Sequence, residues 1–184
     1  PGAEGDFDGR SAGAAGDRVS VRDVLIVGAG PAGLAAAIAA RAGGLDYEVL
    51  EKGALVNSIF RFPRAMVFFT TADLLEIGGL PFVTPYEKPT QGEALKYYRR
   101  VADTCALNMS LGVAVESLRP VEGGTRFRLE TRTERGEAGT REARAVVLAT
   151  GYYDHPTRLG VPGEDLPHVS HYYTESHGFY RKDV

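Results

Sequence analysis

The chain contains no tryptophan and a single cysteine, Cys105. One thiol can neither close an internal disulfide nor form a Cys-x-x-Cys redox pair, so dithiol chemistry within this sequence is excluded. Cys105 falls in a run where Leu95, Tyr98 and Ala102 share one helical face with it, which predicts a buried, inert thiol. An excess of charge of either sign is also lacking: 21 Lys and Arg against 24 Asp and Glu leave a net charge of −3. That balance gives no electrostatic footprint for nucleic acid, and Arg99-Arg100, Arg126, Arg128 and Arg132 are dispersed. No apolar run approaches the roughly 18 residues that span a bilayer, and no signal-peptide pattern opens the chain. The expectation is a cytoplasmic protein without a membrane partner. A G-x-S-x-G elbow and a P-loop are both missing. His155, His168, His171 and His177 lack acidic or Cys partners at metal spacing, so no metal site is expected.

The strongest positive signal is Val24-Leu25-Ile26-Val27-Gly28-Ala29-Gly30-Pro31-Ala32-Gly33-Leu34. An apolar strand runs into glycines at G-x-G-x-x-G spacing, and an Ala-rich helix over Leu34 to Ala42 follows. Gly28 permits a tight turn, Gly30 lets backbone approach a pyrophosphate, and Gly33 lets helix pack closely on strand. The helix N-terminus favours an anion, and Pro31 at the first helical position forfeits nothing by lacking an N–H. Asp46 to Leu50 predicts a second strand. Glu51 follows it, 23 residues after Gly28 and near the roughly 20 expected of a carboxylate that accepts from adenosine ribose hydroxyls. Such an acid repels a 2′-phosphate, so this site favours FAD or NAD, although Lys52 beside it keeps NADP open.

The remaining elements predict an α/β fold: a Rossmann-like domain over residues 21–184 with a parallel central sheet and an antiparallel β-meander over about 113–148. Residues 1–20, rich in Gly, Ala and Asp, read as a disordered leader. Gly53 to Arg64 and Pro81 to Pro89 read as loops, and Met66 to Thr70 as a short strand. Thr90 and Glu93 form a capping box that opens a long helix. Asn108 to Leu111 adds a strand to the main sheet. Val113 to Leu118, Thr125 to Thr131 and Arg141 to Leu148 form the meander. The continuous apolar run Ala145 to Ala149 predicts a strand buried on both faces. It ends in a small-residue turn at Thr150-Gly151, which would bring backbone to the same ligand as the glycine loop.

Several strings together carry a more specific likeness: the glycine loop, Glu51-Lys52-Gly53, Val56-Asn57-Ser58-Ile59-Phe60-Arg61-Phe62-Pro63, Leu74-Leu75-Glu76-Ile77-Gly78-Gly79, Glu93-Ala94-Leu95-Lys96-Tyr97-Tyr98-Arg99, Ala149-Thr150-Gly151-Tyr152-Tyr153-Asp154 and Gly160 to Tyr173. From about Asp23 to Val184 the chain resembles the FAD-dependent bacillithiol-disulfide (bacilliredoxin) reductase family, a branch of the thioredoxin-reductase-like flavoproteins with two dinucleotide-binding domains. The resemblance implies that NADPH reduces FAD and that the reduced flavin passes electrons to a small-molecule disulfide, with self-association left open. It implies that Gly28, Ala29, Gly30, Pro31, Ala32 and Gly33 hold the pyrophosphate and that Glu51, flanked by Lys52, holds the ribose. Val115 would present backbone to the adenine, with Asn57, Ser58, Thr71, Thr150 and Gly151 nearer the rest of the cofactor. Family members often carry Cys at the position of Ala32, so a thiol role there is absent. The family's NADPH motif would begin beyond Val184, so the chain corresponds to the N-terminal part, with an incomplete FAD domain.

Two other functions fit parts of the sequence. Flavin-dependent monooxygenases share the fold, and His171 falls where their F-x-G-x-x-x-H signature places a histidine. Glu164 to Pro167 replaces the opening of that signature, however. A dinucleotide-binding module without turnover fits the presence of one glycine loop.

Overall fold

Residues 20–183 are described by the structure, a computed structural model. The leader expected at residues 1–20 lies outside them except for Ser20. β1 (Val21–Val27), α1 (Pro31–Ala42) and β2 (Tyr47–Glu51) form the expected β-α-β unit. Pro31 opens α1, and β1 pairs with β2 in parallel from Val24 opposite Tyr47 to Val27 opposite Leu50. β3 (Met109–Leu111) extends the sheet in parallel beyond β2. β4 (Val113–Val121), β5 (Arg126–Thr133) and β6 (Ala138–Leu148) form the antiparallel meander, and the full order is β3-β2-β1-β6-β5-β4.

β6 joins the two halves of the sheet. Its first part, Ala138 to Ala143, pairs antiparallel with β5, and Glu142 to Leu148 pairs in parallel with β1. Side chains alternate across a strand, so Leu25 and Ile26 serve opposite faces. Ile26 packs with Val49, Ala37 and Ala40 beneath α1. Leu25 packs with Leu50, Leu129 and Ala143 on the other side, where Val113 and Val115 of the meander complete the layer. A third cluster unites Leu34, Val56, Ile59 and Phe82 with the inner face of α3 (Gln91–Thr104). α3 begins at the expected capping box: the Glu93 N–H donates to the Thr90 hydroxyl, and the Glu93 carboxylate accepts from the Thr90 N–H. Backbone and hydroxyl donors from Thr90 hold the Glu93 carboxyl below its usual pKa.

Three expectations need correction. The run from Ala145 is not buried on both faces: Leu148 is 68% and Val147 37% exposed. β5 leaves β6 after Ala143, so the last residues of β6 have only β1 beside them among the described residues. Met66 to Thr70 does not form a strand but a single bridge, Val67 opposite Thr90. Gly53 to Arg64 is not all loop, because Asn57–Phe60 closes a helical turn, α2. Cys105 is half-buried at the end of α3, packed against the third cluster. Among the described residues no helix is long and apolar enough to cross a membrane.

Candidate functional site

A cavity of about 740 Å³ opens where β1, β2 and β6 end, lined at those points by Val27, Glu51 and Ala149. This is the crevice outside the carboxyl ends of parallel strands, where open α/β sheets bind ligands. The N-terminus of the 12-residue α1 lies against it through Gly30, Pro31 and Ala32. Free backbone N–H groups there and the helix dipole favour an anion.

The three glycines have three different reasons to lack a side chain. Gly28 has φ +107, and a Cβ on it would lie 2.4 Å from the Ala149 carbonyl oxygen, so the first turn and the turn after β6 are in contact through it. A Cβ on Gly33 would lie 1.9 Å from the Gly28 carbonyl oxygen, which fixes the close approach of α1 to the loop. Gly30 is constrained by neither. Its φ is −75, and a Cβ would meet nothing within 4 Å. Among the described residues no neighbour requires glycine at position 30, which lines the cavity.

Glu51 is 6% exposed, and both carboxylate oxygens are engaged. Oε2 accepts from the Ala29 N–H at 2.8 Å and Oε1 from the Gly53 N–H at 2.9 Å. The side chain is thereby pinned between the glycine loop and the segment after β2. Each oxygen retains a further lone pair, and the residue lines the cavity. A buried carboxylate held this way is a pre-oriented acceptor for hydroxyl donors.

Val56 has φ 48 and ψ 48, a left-handed conformation that is a genuine outlier for a β-branched residue. It is buried, and two hydrogen bonds fix it: its N–H to the Ala29 carbonyl at 3.0 Å, and the Phe60 N–H to its own carbonyl at 3.0 Å. Strain of this kind costs about 1–3 kcal/mol and persists where surrounding structure imposes it. Here it turns the chain so that Asn57 and Ser58 line the cavity. Leu74, Leu75, Glu76 and Ile77 form another wall, tied to α3 by the Tyr98 hydroxyl on the Leu75 carbonyl and the Tyr97 hydroxyl on the Ile77 carbonyl. Burial pushes the Tyr98 phenol up to about 12.

The second turn completes the enclosure. Thr150 and Gly151 line the cavity with Tyr153, Asp154 and His155, and Val115 of β4 reaches it from the meander side. Asp154 takes an ion pair from Lys52 and another from Arg61 at 2.8 Å, bracing this turn against the residues after β2 and α2. The hydrogen bond from Lys52, with the charges of Lys52 and Arg61, holds the Asp154 carboxyl below its ordinary range.

Of the residues expected at the site, Gly28, Gly30, Pro31, Ala32, Glu51, Lys52, Asn57, Ser58, Val115, Thr150 and Gly151 all line this one cavity. Ala29 and Gly33 stand behind it, one binding Glu51 and the other seating α1. Thr71 is not brought to the lining. The strained Val56, the Lys52–Asp154–Arg61 brace and the Leu74–Ile77 wall had no role assigned from sequence. Lys52 and Arg61 are charged residues in otherwise apolar or turn segments, which was the available signal. The His171 Nε2 lies 2.8 Å from the Glu164 carboxylate.

A profile of the family described as Pyridine nucleotide-disulphide oxidoreductase matches residues 25–184. Over 160 residues the chain is 42% identical to bacilliredoxin reductase Bdr of Bacillus subtilis (strain 168), a match that takes in 87% of this chain and 48% of that protein. In structure it is similar to bacillithiol disulfide reductase Bdr from Bacillus cereus, with a TM-score of 0.83 and 39% identity over 87% of this chain and 49% of that one. A flavin-containing monooxygenase from Stenotrophomonas maltophilia is a more distant likeness, with a TM-score of 0.61 and 26% identity over 71% of this chain and 38% of that one. The chain spans about half the length of the two reductases.

Proposed function

The chain belongs to the pyridine nucleotide-disulphide oxidoreductase family, and from that membership we propose that it is the FAD-binding part of an NADPH-dependent flavoprotein that reduces a low-molecular-weight thiol disulfide. The observation that carries this reading is the convergence, on one cavity, of the side-chain-free Gly30, the start of α1 and the buried carboxylate of Glu51. An ADP-containing cofactor needs close backbone approach to its pyrophosphate, anion-favouring donors and a ribose acceptor, and these residues fit all three.

FAD is the cofactor of this cavity. Gly28, Gly30, Pro31 and Ala32 receive its pyrophosphate, Glu51 accepts from its ribose, and Val115 bounds the adenine end. Asn57 and Ser58, with Thr150 and Gly151, orient the remainder. When bound, FAD supplies the two-electron relay: one NADPH and one proton convert one disulfide into two thiols. Cys105 packs against the α3 cluster and does not line the cavity, and Ala32 carries no thiol. A disulfide is therefore reduced without a dithiol from these residues. The described residues carry one pyrophosphate loop, which FAD fills, so they supply no second glycine loop for NADPH. The cytoplasm, where thiols are kept reduced, is the compartment this activity suits.

The two reductases, named for bacilliredoxin and bacillithiol disulfide, favour a disulfide acceptor over the monooxygenase chemistry of the more distant likeness. The test is stoichiometry: flavin-loaded full-length protein given NADPH and bacillithiol disulfide should release two thiols for each NADPH oxidised. NADPH consumption that follows oxygen and yields peroxide or an oxygenated product, with no thiol released, would overturn the disulfide reading.

A further inference from the structure

A second cavity, of about 600 Å³, adjoins the first, and its walls include Arg61, Arg64, Phe62, Tyr153, Tyr172 and Glu175. Phe62 and Tyr153 line both cavities, with their rings edge-on at 5.0 Å, so one aromatic layer separates the two spaces. Tyr172 continues that layer, 5.2 Å from the Tyr153 ring, and its hydroxyl donates to the Tyr153 carbonyl at 3.0 Å. Aromatic walls that hold one another in this way form a preset surface for a planar or apolar ligand group.

The charges at this cavity differ in their commitments. Arg61 gives Nη1 to Asp154 at 2.8 Å, and its guanidinium stands 5.5 Å over the Tyr172 ring. Asp154 is in turn balanced by Lys52. Glu175 spends Oε1 on the His177 N–H at 2.9 Å. Arg64 is exposed at the cavity wall and has neither hydrogen bond nor ion pair among the described residues. Two guanidinium groups thus face one carboxylate, and one of the two retains its whole fork of donors. A guanidinium fork matches the geometry of a carboxylate or a phosphate.

We propose that this second cavity binds the anionic group, carboxylate or phosphate, of a small molecule that exchanges electrons with the cofactor, with Arg64 as the anion's partner. The inference rests on the flavin reading of the adjoining cavity. The shared Phe62–Tyr153 wall puts an occupant of the second cavity one ring's thickness from the first. Arg61 is already oriented by Asp154 and Tyr172, so it contributes positive potential and a stacking face, and Arg64 contributes the bidentate contact. The anion has two chemical sources: the carboxylates of the disulfide substrate or the phosphates of NADPH.

Side-chain nitrogen resonances of ¹⁵N-labelled, flavin-loaded protein report the site directly. Acetate and inorganic phosphate, titrated separately, should shift an arginine Nε signal saturably, and that signal should be missing in Arg64→Ala. Steady-state kinetics of the full-length protein then identify the source. Losing one charge-assisted contact should raise a KM by about 10-fold or more with kcat little changed. A rise for the disulfide assigns the carboxylate, and a rise for NADPH assigns the phosphate. Arg64→Lys, which keeps charge without the fork, should recover part of the loss. No saturable shift with either anion, or Arg64→Ala binding both anions like the parent, overturns the proposal. Anion binding without any NADPH-driven disulfide reduction would instead leave the site standing and remove the activity assigned to its neighbour.

Discussion

Replacing each glycine of the loop with alanine separates the residues that build the fold from the one that admits the ligand. At Gly30 the backbone has φ −75 and a Cβ would meet nothing within 4 Å, so alanine fits. Reduced freedom of the unfolded chain contributes about 0.4–1 kcal/mol in favour of Gly30→Ala. Gly30 is also the N-cap of α1, with no side-chain cap, and alanine is a poorer N-cap than glycine by a comparable amount. The two effects nearly cancel, and the apo melting temperature should stay within about 2 °C of the parent. The methyl group nonetheless enters the space assigned to the pyrophosphate. Displacing one charged acceptor from its backbone donors costs about 1.5–3 kcal/mol, or about 10- to 150-fold in Kd for FAD. Gly33→Ala behaves in the opposite way. Its Cβ would lie 1.9 Å from the Gly28 carbonyl oxygen, so α1 must shift, at or above the upper end of the about 1–3 kcal/mol typical of overpacking. That corresponds to roughly 2–4 °C of melting temperature per kcal/mol in a chain of this size. Thermal melts by circular dichroism and FAD titration by calorimetry separate the two outcomes. Gly30→Ala binding FAD like the parent, or losing as much apo stability as Gly33→Ala, would refute the division of roles.

Other consequences follow from particular contacts. Glu51→Gln places an amide NH₂ against one of two backbone N–H donors, so apo stability should fall by about 1–3 kcal/mol and FAD affinity with it, as melts and calorimetry together would show. Thr90→Ala removes the capping box of α3 and should cost about 1 kcal/mol of stability, within a range of about 0.5–2, with flavin affinity unchanged by titration. The Glu164 carboxyl is held down to about 2 from 4.5 by its hydrogen bond with His171 and by the Leu159 and Gly160 N–H groups. A pKa depressed in the folded state gives stability that is complete above the unfolded value and lost as pH falls. Protection of the 159–171 segment from hydrogen exchange should therefore decline between pH 4.5 and about 2, and Glu164→Gln should show no such decline.

The elements most legible in the sequence were those whose signal is local. The glycine spacing, Pro31 and the Ala-rich run specify α1, and Thr90 with Glu93 specifies where α3 begins; both formed as expected. The meander was equally plain, because its strands are joined by short turns. What the sequence concealed depends on partners distant along the chain. The apolar run from Ala145 carries the pattern of a doubly buried strand, but burial depends on what lies alongside, and β5 diverges at Ala143. Val56 is an ordinary apolar residue by composition, and its left-handed conformation is imposed by the Ala29 carbonyl and the α2 turn. Lys52, Asp154 and Arg61 are far apart in sequence and meet only because the turns after β2 and β6 lie at the same edge of the sheet. Within the site, Glu51 was found by its spacing, whereas its two backbone donors could be seen only in the fold.

The claim on which the rest depends is that this cavity recognises the ADP half of FAD through the glycine loop and Glu51. Calorimetric titration of the apo protein with FAD and, separately, with FMN tests it most directly, since FMN carries the isoalloxazine and one phosphate but lacks the adenosine and the pyrophosphate. Saturable binding of FAD at one site, with FMN weaker by at least about 10-fold, is the expected result. Equal affinity for the two flavins, or no binding of FAD, would contradict it.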